Sequence, residues 1–469
     1  MRTRALVALV VTACALVAAW VALRGAPARD DAVAVRAPLF AADEIPLEQV
    51  DRVDLVRPSA PALTFVREGA GWAQAQPFPH PADAASIRAV IDAFAALERS
   101  RAIDPDAVGP EARATLGLDP PKARVTLGWK GGQRSVDLGR RTIAGRAWAH
   151  VEGRPEVVSV DTALHALAVD ADPRQWRTMR LWDAARGDVG RIEVRYGPKP
   201  EQRVTLERAG GRWRSVAPFA TRLDGDAVRS YVEALARAEG DAFAADQPTD
   251  LAAFGLAAPE RGVTLARAAA PGAPAAGSTT ATTGAVLGAI DVGTPVAEGA
   301  SERFARVDGR PAVMQLGAKA LAAMFPPPAF FVDPRGSDAV PADVKRVQWV
   351  PFLAGTPGEA AWTLERTLDA WSIQPREFAQ PVAANAEAVR KLLAQLCESR
   401  APAVAFQAMP DALRLGEFVM TGADGAILAR IRVAREPEGQ WALDNADGVL
   451  RVFPAGTGIA TEAAAYGAR

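Results

Sequence analysis

The chain has 469 residues, of which 49% are hydrophobic and 23% charged, with a formal net charge of −1 at pH 7. This is a globular composition, long enough for about three domains of ordinary size. It speaks against a general binder of nucleic acid or acidic lipid, since neither sign of charge dominates. The two cysteines, Cys14 and Cys397, are too few and too far apart for a disulfide framework or a zinc cluster.

The first predicted element is an uncharged run of 19 residues, Ala5 to Leu23, bounded by Arg4 and Arg24. About 20 apolar residues cross the ~30 Å hydrocarbon core of a bilayer, whereas signal-peptide cores are about 7–15 residues long. No clear Ala-x-Ala cleavage site precedes the return of charge. Residues 1–25 therefore read as an uncleaved single-pass anchor with its N-terminus in the cytoplasm, after Arg2 and Arg4, and 26–46 as a linker. Val11-Thr12-Ala13-Cys14 resembles a lipobox, but the apolar run continues past Cys14, which favours the anchor. No later run is comparable, so the bulk of the chain is expected outside the inner membrane as a periplasmic or extracytoplasmic body.

The remainder is internally repetitive. The pattern Thr-x-x-Arg-x-x-x-x-Trp occurs as Thr64, Arg67, Trp72, as Thr205, Arg208, Trp213, and as Thr363, Arg366, Trp371. Each copy follows Val-x-Arg-(Val/Ile), at Val50-Arg52-Val53, Val189-Arg191-Ile192 and Val344-Arg346-Val347. Each precedes a helical pattern opening with Ile87-Arg88, Val228-Arg229 or Val389-Arg390. Repeats of this length imply a fold built by duplication. A residue repeated in every copy also reads as scaffold rather than catalyst.

Copy one is placed at 47–180. Alternating Val50–Val56 and Leu63–Trp72 predict antiparallel strands, and the Gly69–Gly71 turn lies just before the Trp. A Pro-rich loop, 77–81, leads to a helix with Ile87, Val90, Ile91, Phe94 and Leu97 on one stripe. The turn Leu116-Gly117-Leu118-Asp119-Pro120 precedes strands over Ala123–Trp129, Arg134–Leu138 and Trp148–Val160, the last broken at Glu152-Gly153. Copy two, 186–335, repeats this order with a helix on Val228, Tyr231, Val232 and Leu235, and a turn at Phe254-Gly255-Leu256. Its hairpin tip Asp308-Gly309-Arg310-Pro311 mirrors Glu152-Gly153-Arg154-Pro155, and 268–283 reads as a flexible insertion. Copy three, 340–460, is divergent. Its helix carries Val389, Leu392, Leu393 and Leu396, and its turn reads as degenerated to Leu413-Arg414-Leu415-Gly416. A hairpin followed by a helix and a meander gives an α+β repeat, an antiparallel sheet with a helix on one face.

Candidate chemistry is sparse. His80, His150 and His165 are the only histidines, and none is shared by the copies. His80 stands out because it lies in a loop, opposite Thr221 and the neighbourhood of Ala384. No nucleophile elbow, zincin motif, phosphate loop or dinucleotide fingerprint occurs, so no catalytic, metal or cofactor residue is expected. Asp104-Pro105-Asp106 and Asp444-Asn445-Ala446-Asp447 read as exposed turns. The shared Trp72, Trp213 and Trp371 read as core packing, and Arg67, Arg208 and Arg366 as packed or stacked against them. Trp176, Trp182, Phe330 and Phe331 read as seals at domain junctions.

These features together resemble the bacterial membrane-anchored proteins of domain-of-unknown-function family 4340. They are an anchor, Val-x-x-(Val/Ile), the Thr/Arg/Trp pattern, the Leu116–Pro120 turn, Asp137-Leu138-Gly139, Asp172-Pro173-Arg174 and Arg180-Leu181. The likeness covers copies one and two well and copy three more loosely. Members of that family often accompany exporter-type ABC transporters of the gliding-motility kind. The resemblance therefore implies a non-enzymatic accessory or scaffold protein with protein partners in a transporter complex. It carries no catalytic residues. The alternatives are a cell-envelope glycan-binding module using Trp129, Trp148 or Trp176, and an envelope hydrolase built on His80 with a carboxylate from a neighbouring copy.

Overall fold

The structure is a computed structural model that describes residues 37–469 apart from 104–107, 143–144, 183–188, 269–284, 354–355, 369 and 468–469. The expected anchor, Cys14, Asp104-Pro105-Asp106 and nearly all of the expected insertion lie outside the described residues. Among the described residues, no helix is long and apolar enough to cross a membrane.

Three antiparallel sheets, of ten, eight and ten strands, dominate the fold. The chain is α+β but richer in sheet than the sequence pattern suggests. Each sheet carries one twelve-residue core helix, at Ala84–Ala95, Gly225–Ala236 and Ala386–Cys397. The three sheets share one core strand order, to which the first and third add short strands. In the second sheet the path is Arg212–Ala217, Arg203–Ala209, Val189–Arg195, Arg261–Arg267, Val286–Pro295, Arg303–Val307, Val313–Leu316 and Ala242–Ala245. The first strand of the copy is thus central. The early hairpin flanks it on one side and the late meander on the other. The strand after the helix pairs with the meander's last strand, forming the far edge in the second and third sheets and lying inside Ala37–Pro38 in the first.

That closing strand is Glu98–Ile103, Ala242–Ala245 or Ala403–Ala405. The sequence reading missed it, because Glu98-Arg99-Ser100-Arg101 has no apolar alternation. Its pairing with the copy's last strand is a long-range contact that no local pattern encodes. The predicted strand Leu63–Trp72 is in fact two, Ala60–Glu68 and Gly71–Gln76, joined at Gly69 with φ +58°.

The helices form for a shared local reason. Asp83, Asp224 and Asn385 are N-caps whose side chains accept from backbone N–H groups of the first turn, satisfying donors that would otherwise be orphaned. Each cap stands four residues before the Ile/Val-Arg pair. The apolar stripes then bury as predicted, with Ile87, Val90, Phe94, Val228, Leu235, Val389 and Leu396 all at 0% exposure. Burying each such side chain contributes on the order of 1.5–3 kcal/mol.

The Leu-Gly-Leu turn also has a packing role. Gly117 caps the helix Pro110–Leu116 at φ +71°, and the turn rests on the strand at Gly139, where a Cβ would stand 2.5 Å from the Leu116 carbonyl oxygen. Gly255 and Gly293 repeat the device in copy two, with a Cβ at Gly293 only 1.9 Å from the Phe254 oxygen. In copy three the predicted turn is not a turn. Arg414, Leu415 and Gly416 lie in the strand Arg414–Thr421, and Gly416 fits against Trp349 and the Val350 carbonyl.

The chain divides into two compact units between Thr178 and Met179. The first holds the first sheet. The second holds the other two, and within it the connector 332–338 is hydrogen-bonded on both sides. Asp333 N–H donates to the Arg222 carbonyl at 3.0 Å, and Ala401 N–H donates to the Pro334 carbonyl at 3.0 Å. Gly336 lies so close to the third copy that a Cβ there would be 2.8 Å from the Leu396 oxygen.

Candidate functional site

The shared motif residues meet across the early hairpin. Arg67 pairs with Trp72, Arg208 with Trp213 and Arg366 with Trp371 as direct cross-strand neighbours. The three Trp rings are half-buried and pack against the edge of their core clusters. Arg366 sits over the Trp371 ring, 5.8 Å from its centroid. Arg67 donates to the Glu48 carbonyl at 3.1 Å, and Arg366 to the Ala342 carbonyl. Arg208 instead lines a groove described below. Thr64 and Thr205 are buried, and Thr64 donates to Asp54 at 2.6 Å. Thr363 is half-buried, with its hydroxyl 3.5 Å from Gln348 Nε2. The arginine of the Val-x-Arg pattern faces the outer side of each sheet, where Arg52 pairs with Asp54, Arg191 with Glu207 and Arg346 with Glu365.

A second repeated arginine, legible in the sequence only as part of a hairpin tip, has a role of its own. Arg154, just past the hairpin tip of copy one, donates to the Leu39 carbonyl at 2.7 Å. Arg310, at the equivalent place in copy two, donates to the Arg180 carbonyl at 2.6 Å. In copy three the role falls to Arg451, whose Nε donates to the Asp333 carbonyl at 2.9 Å. Each of these arginines grips the chain segment that enters its own copy. The shared Gly-Arg-Pro tips were the available signal, but a hairpin signature alone does not reveal where an arginine side chain goes.

Arg451 does more than its counterparts, because its entering segment joins two sheets. It is fully buried, and its guanidinium bonds Asp447 Oδ2 at 2.9 Å, Asp447 Oδ1 at 3.3 Å, the Val449 carbonyl at 3.1 Å and Thr221 Oγ1 at 3.3 Å. The Thr221 hydroxyl donates to Asp447 at 2.6 Å. Burial pushes the Asp447 carboxyl upward. Arg451, the Thr221 hydroxyl and the Val449 N–H outweigh that effect and hold it below its ordinary value. Around this bolt, Arg400 of copy three pairs with the helix cap Asp224 of copy two. Phe219 stacks on Phe406 with centroids 4.1 Å apart. The Asp444–Asp447 stretch is therefore no simple exposed turn. Asp444 is buried, and burial together with the charge of Asp447 raises its pKa.

The other candidates hold structural positions. His80 is buried with Nδ1 2.8 Å from the Pro81 carbonyl oxygen. His150 faces Asp137 at 3.7 Å, and His165 Nε2 lies 3.1 Å from the Gly139 carbonyl. In copy two the place of His80 is taken by Thr221, the hydroxyl in the joint. Burial pushes the Cys397 thiol up to about 11, which leaves it protonated and unreactive at neutral pH. Trp176 belongs to the core of copy one, and Trp182 and Phe331 to the core of copy two. Trp176 is thus unavailable to a glycan. Trp129 follows the parity of core-facing Val125 and Leu127, while Trp148 alternates with buried Ala147 and Ala149. These two rings lie on opposite faces of the sheet and form no row.

A groove of about 930 Å³ opens beside the edge hairpin of copy two. Arg208, Arg212, Arg214, Arg222, Arg229 and Arg335 line it, against only three carboxylates, Glu233, Asp333 and Asp338. Gly210 and Gly211, at φ +58° and +81°, form the turn that brings Arg208 and Arg212 to its rim.

Comparison with curated proteins and with solved structures gives no match. The family model described as domain of unknown function (DUF4340) matches twice, over residues 72–244 and 213–416. Both matches begin on a motif tryptophan, Trp72 or Trp213. Both run past the helix of the following copy, so they overlap on the helix of copy two. The family unit is thus one repeat and the opening of the next, and the chain belongs to the DUF4340 family.

Proposed function

We propose that this protein is a non-enzymatic scaffold, tethered to the inner membrane by residues 1–25, that presents its extracytoplasmic sheets to components of an ABC-type transport system. The observation that carries the scaffold reading is how the repeated residues are used. Caps, tip arginines and the motif arginines Arg67 and Arg366 fasten a copy to itself or to its entering segment. The buried joint at Arg451 then makes copies two and three a fixed pair, which suits a protein whose task is to hold surfaces in register. The apolar run Ala5–Leu23 supports the tether, and the transporter partner rests on what the family resemblance implies.

Affinity capture of the tagged full-length protein from gently solubilised membranes tests this, with a chain lacking residues 1–25 as control. Co-purification of a permease and its ATPase with the full-length chain is the expected result. Recovery of the protein alone, across several mild detergents, would remove the transporter reading.

A further inference from the structure

The groove beside the edge hairpin of copy two holds charge that the joint does not use. Asp333 neutralises Arg335 at 2.9 Å, and Asp338 neutralises Arg222 at 3.0 Å. Glu207 is shared between Arg191 and Arg214. Arg208 and Arg212 have no ion-pair partner among the described residues. Arg229 has Asp226, but their side chains are 70% and 82% exposed, and such a pair is weak in water. A second observation points into the same space. Ser215 lines the groove at 5% exposure, and its Oγ has no hydrogen-bond partner among the described residues. The Nε of Arg222 is buried and likewise unpartnered. Buried polar groups are normally satisfied, so both atoms call for a polar guest.

We propose that this groove binds a phosphate-bearing anion with two or more negative charges. Arg208, Arg212 and Arg229 supply the opposing charge, and the Ser215 hydroxyl supplies a hydrogen bond. Phosphate fits better than a carboxylate because its terminal oxygens accept from several guanidinium forks at once, while one bidentate fork fills a carboxylate. The half-buried Trp213 gives the site an apolar wall. Phosphate in solution and phosphate on a lipid headgroup share this chemistry, and the test separates them.

Full-length protein in a neutral detergent is titrated calorimetrically with inorganic pyrophosphate, then with short-chain phosphatidic acid, a phosphomonoester, against short-chain phosphatidylcholine. Saturable one-to-one binding is expected, weakened about tenfold or more in R212A/R229A as charge-assisted contacts are lost. Both arginines are exposed, so the variant keeps the fold. S215A removes only a hydroxyl, and the expected loss is roughly threefold, that of a neutral hydrogen bond. Response to pyrophosphate alone assigns a soluble ligand, and response to phosphatidic acid alone assigns a headgroup. The proposal is overturned if neither binds saturably, if R212A/R229A binds like the parent, or if succinate binds as tightly as pyrophosphate.

Discussion

Arg451 and Arg212 belong to the same compact unit yet meet opposite circumstances. Arg451 is fully buried, and every N–H direction of its guanidinium meets an oxygen. Arg212 stands at the rim of a groove without a carboxylate partner among the described residues. The difference shows how one residue type serves architecture or recognition. Satisfied and dry, an arginine fixes one arrangement of two copies. Unsatisfied and wet, it contributes little to folding and remains available to an anion.

The sharpest way to break this comparison is to remove each charge in turn. Arg451→Ala leaves the Asp447 carboxylate and the Thr221 hydroxyl buried without their partner. Breaking a buried pair from one side costs about 3–5 kcal/mol. The loss should show in urea unfolding of the second unit and as faster proteolysis in the connector 332–338. Arg212→Ala should stay within about 0.5 kcal/mol of the parent, as surface substitutions do. Equal effects from the two would dissolve the distinction.

A second test uses a glycine rather than a charge. A Cβ at Gly336 would stand 2.8 Å from both the Leu396 oxygen and Leu443 Cδ1. Gly336→Ala should therefore force the copies apart and cost on the order of 1–3 kcal/mol, the usual range for overpacking. Gly225→Ala, at the groove, meets no atom within 4 Å and should be neutral or slightly stabilising by thermal melt.

The pH dependence sharpens the same contrast. The folded-state pKa of Asp447 is lowered. Its contribution to stability is therefore fully present above the unfolded value of ~3.9 and is lost as pH falls through the lower folded value. Asp447→Asn should flatten the stability profile on the acid side of about pH 4, as read from urea midpoints across pH. Asp444 works in the opposite sense, since its raised pKa makes its ionised form a cost as pH rises through the folded value. Asp444→Asn should therefore gain stability near neutrality relative to the parent.

Much of this architecture is legible in the sequence, and the reason is local. Helix stripes such as Val389, Leu392, Leu393 and Leu396 obey a short period, and hairpins announce themselves through Gly69 or Gly210-Gly211. What escapes is set by contacts distant in sequence. The closing strand Ala403–Ala405 exists because Leu450–Phe453 is there to pair with it. Asp447 reads as a solvated turn until Thr221, 226 residues away, reaches it. The groove was hidden by averaging. A net charge of −1 over the whole chain conceals a local excess of arginine, because the balancing acids lie elsewhere. The motif arginine was legible as scaffold in all three copies, but only the fold shows that Arg208 faces a groove while Arg67 and Arg366 hold backbone carbonyls.

The smallest effect separates capping from joining. Asp83 and Asp224 occupy the same position before their helices, and each accepts from first-turn N–H groups. Asp224 also receives Arg400 from copy three. Burial pushes its pKa up, but Arg400 and the N–H groups of Ala227 and Asp226 bring it below its ordinary value. Losing a cap costs about 1 kcal/mol, so Asp83→Ala should cost that and no more. Arg400 is 60% exposed at its side chain, and an ion pair open to water adds only about 0.2–1 kcal/mol. Asp224→Ala should therefore exceed Asp83→Ala by at most that increment. In a double-mutant cycle with Arg400→Ala, the coupling should fall further as salt screens the pair. A coupling of zero at low salt would mean that Arg400 merely lies beside the cap, leaving the joint to the Arg451 network and the Phe219–Phe406 stack.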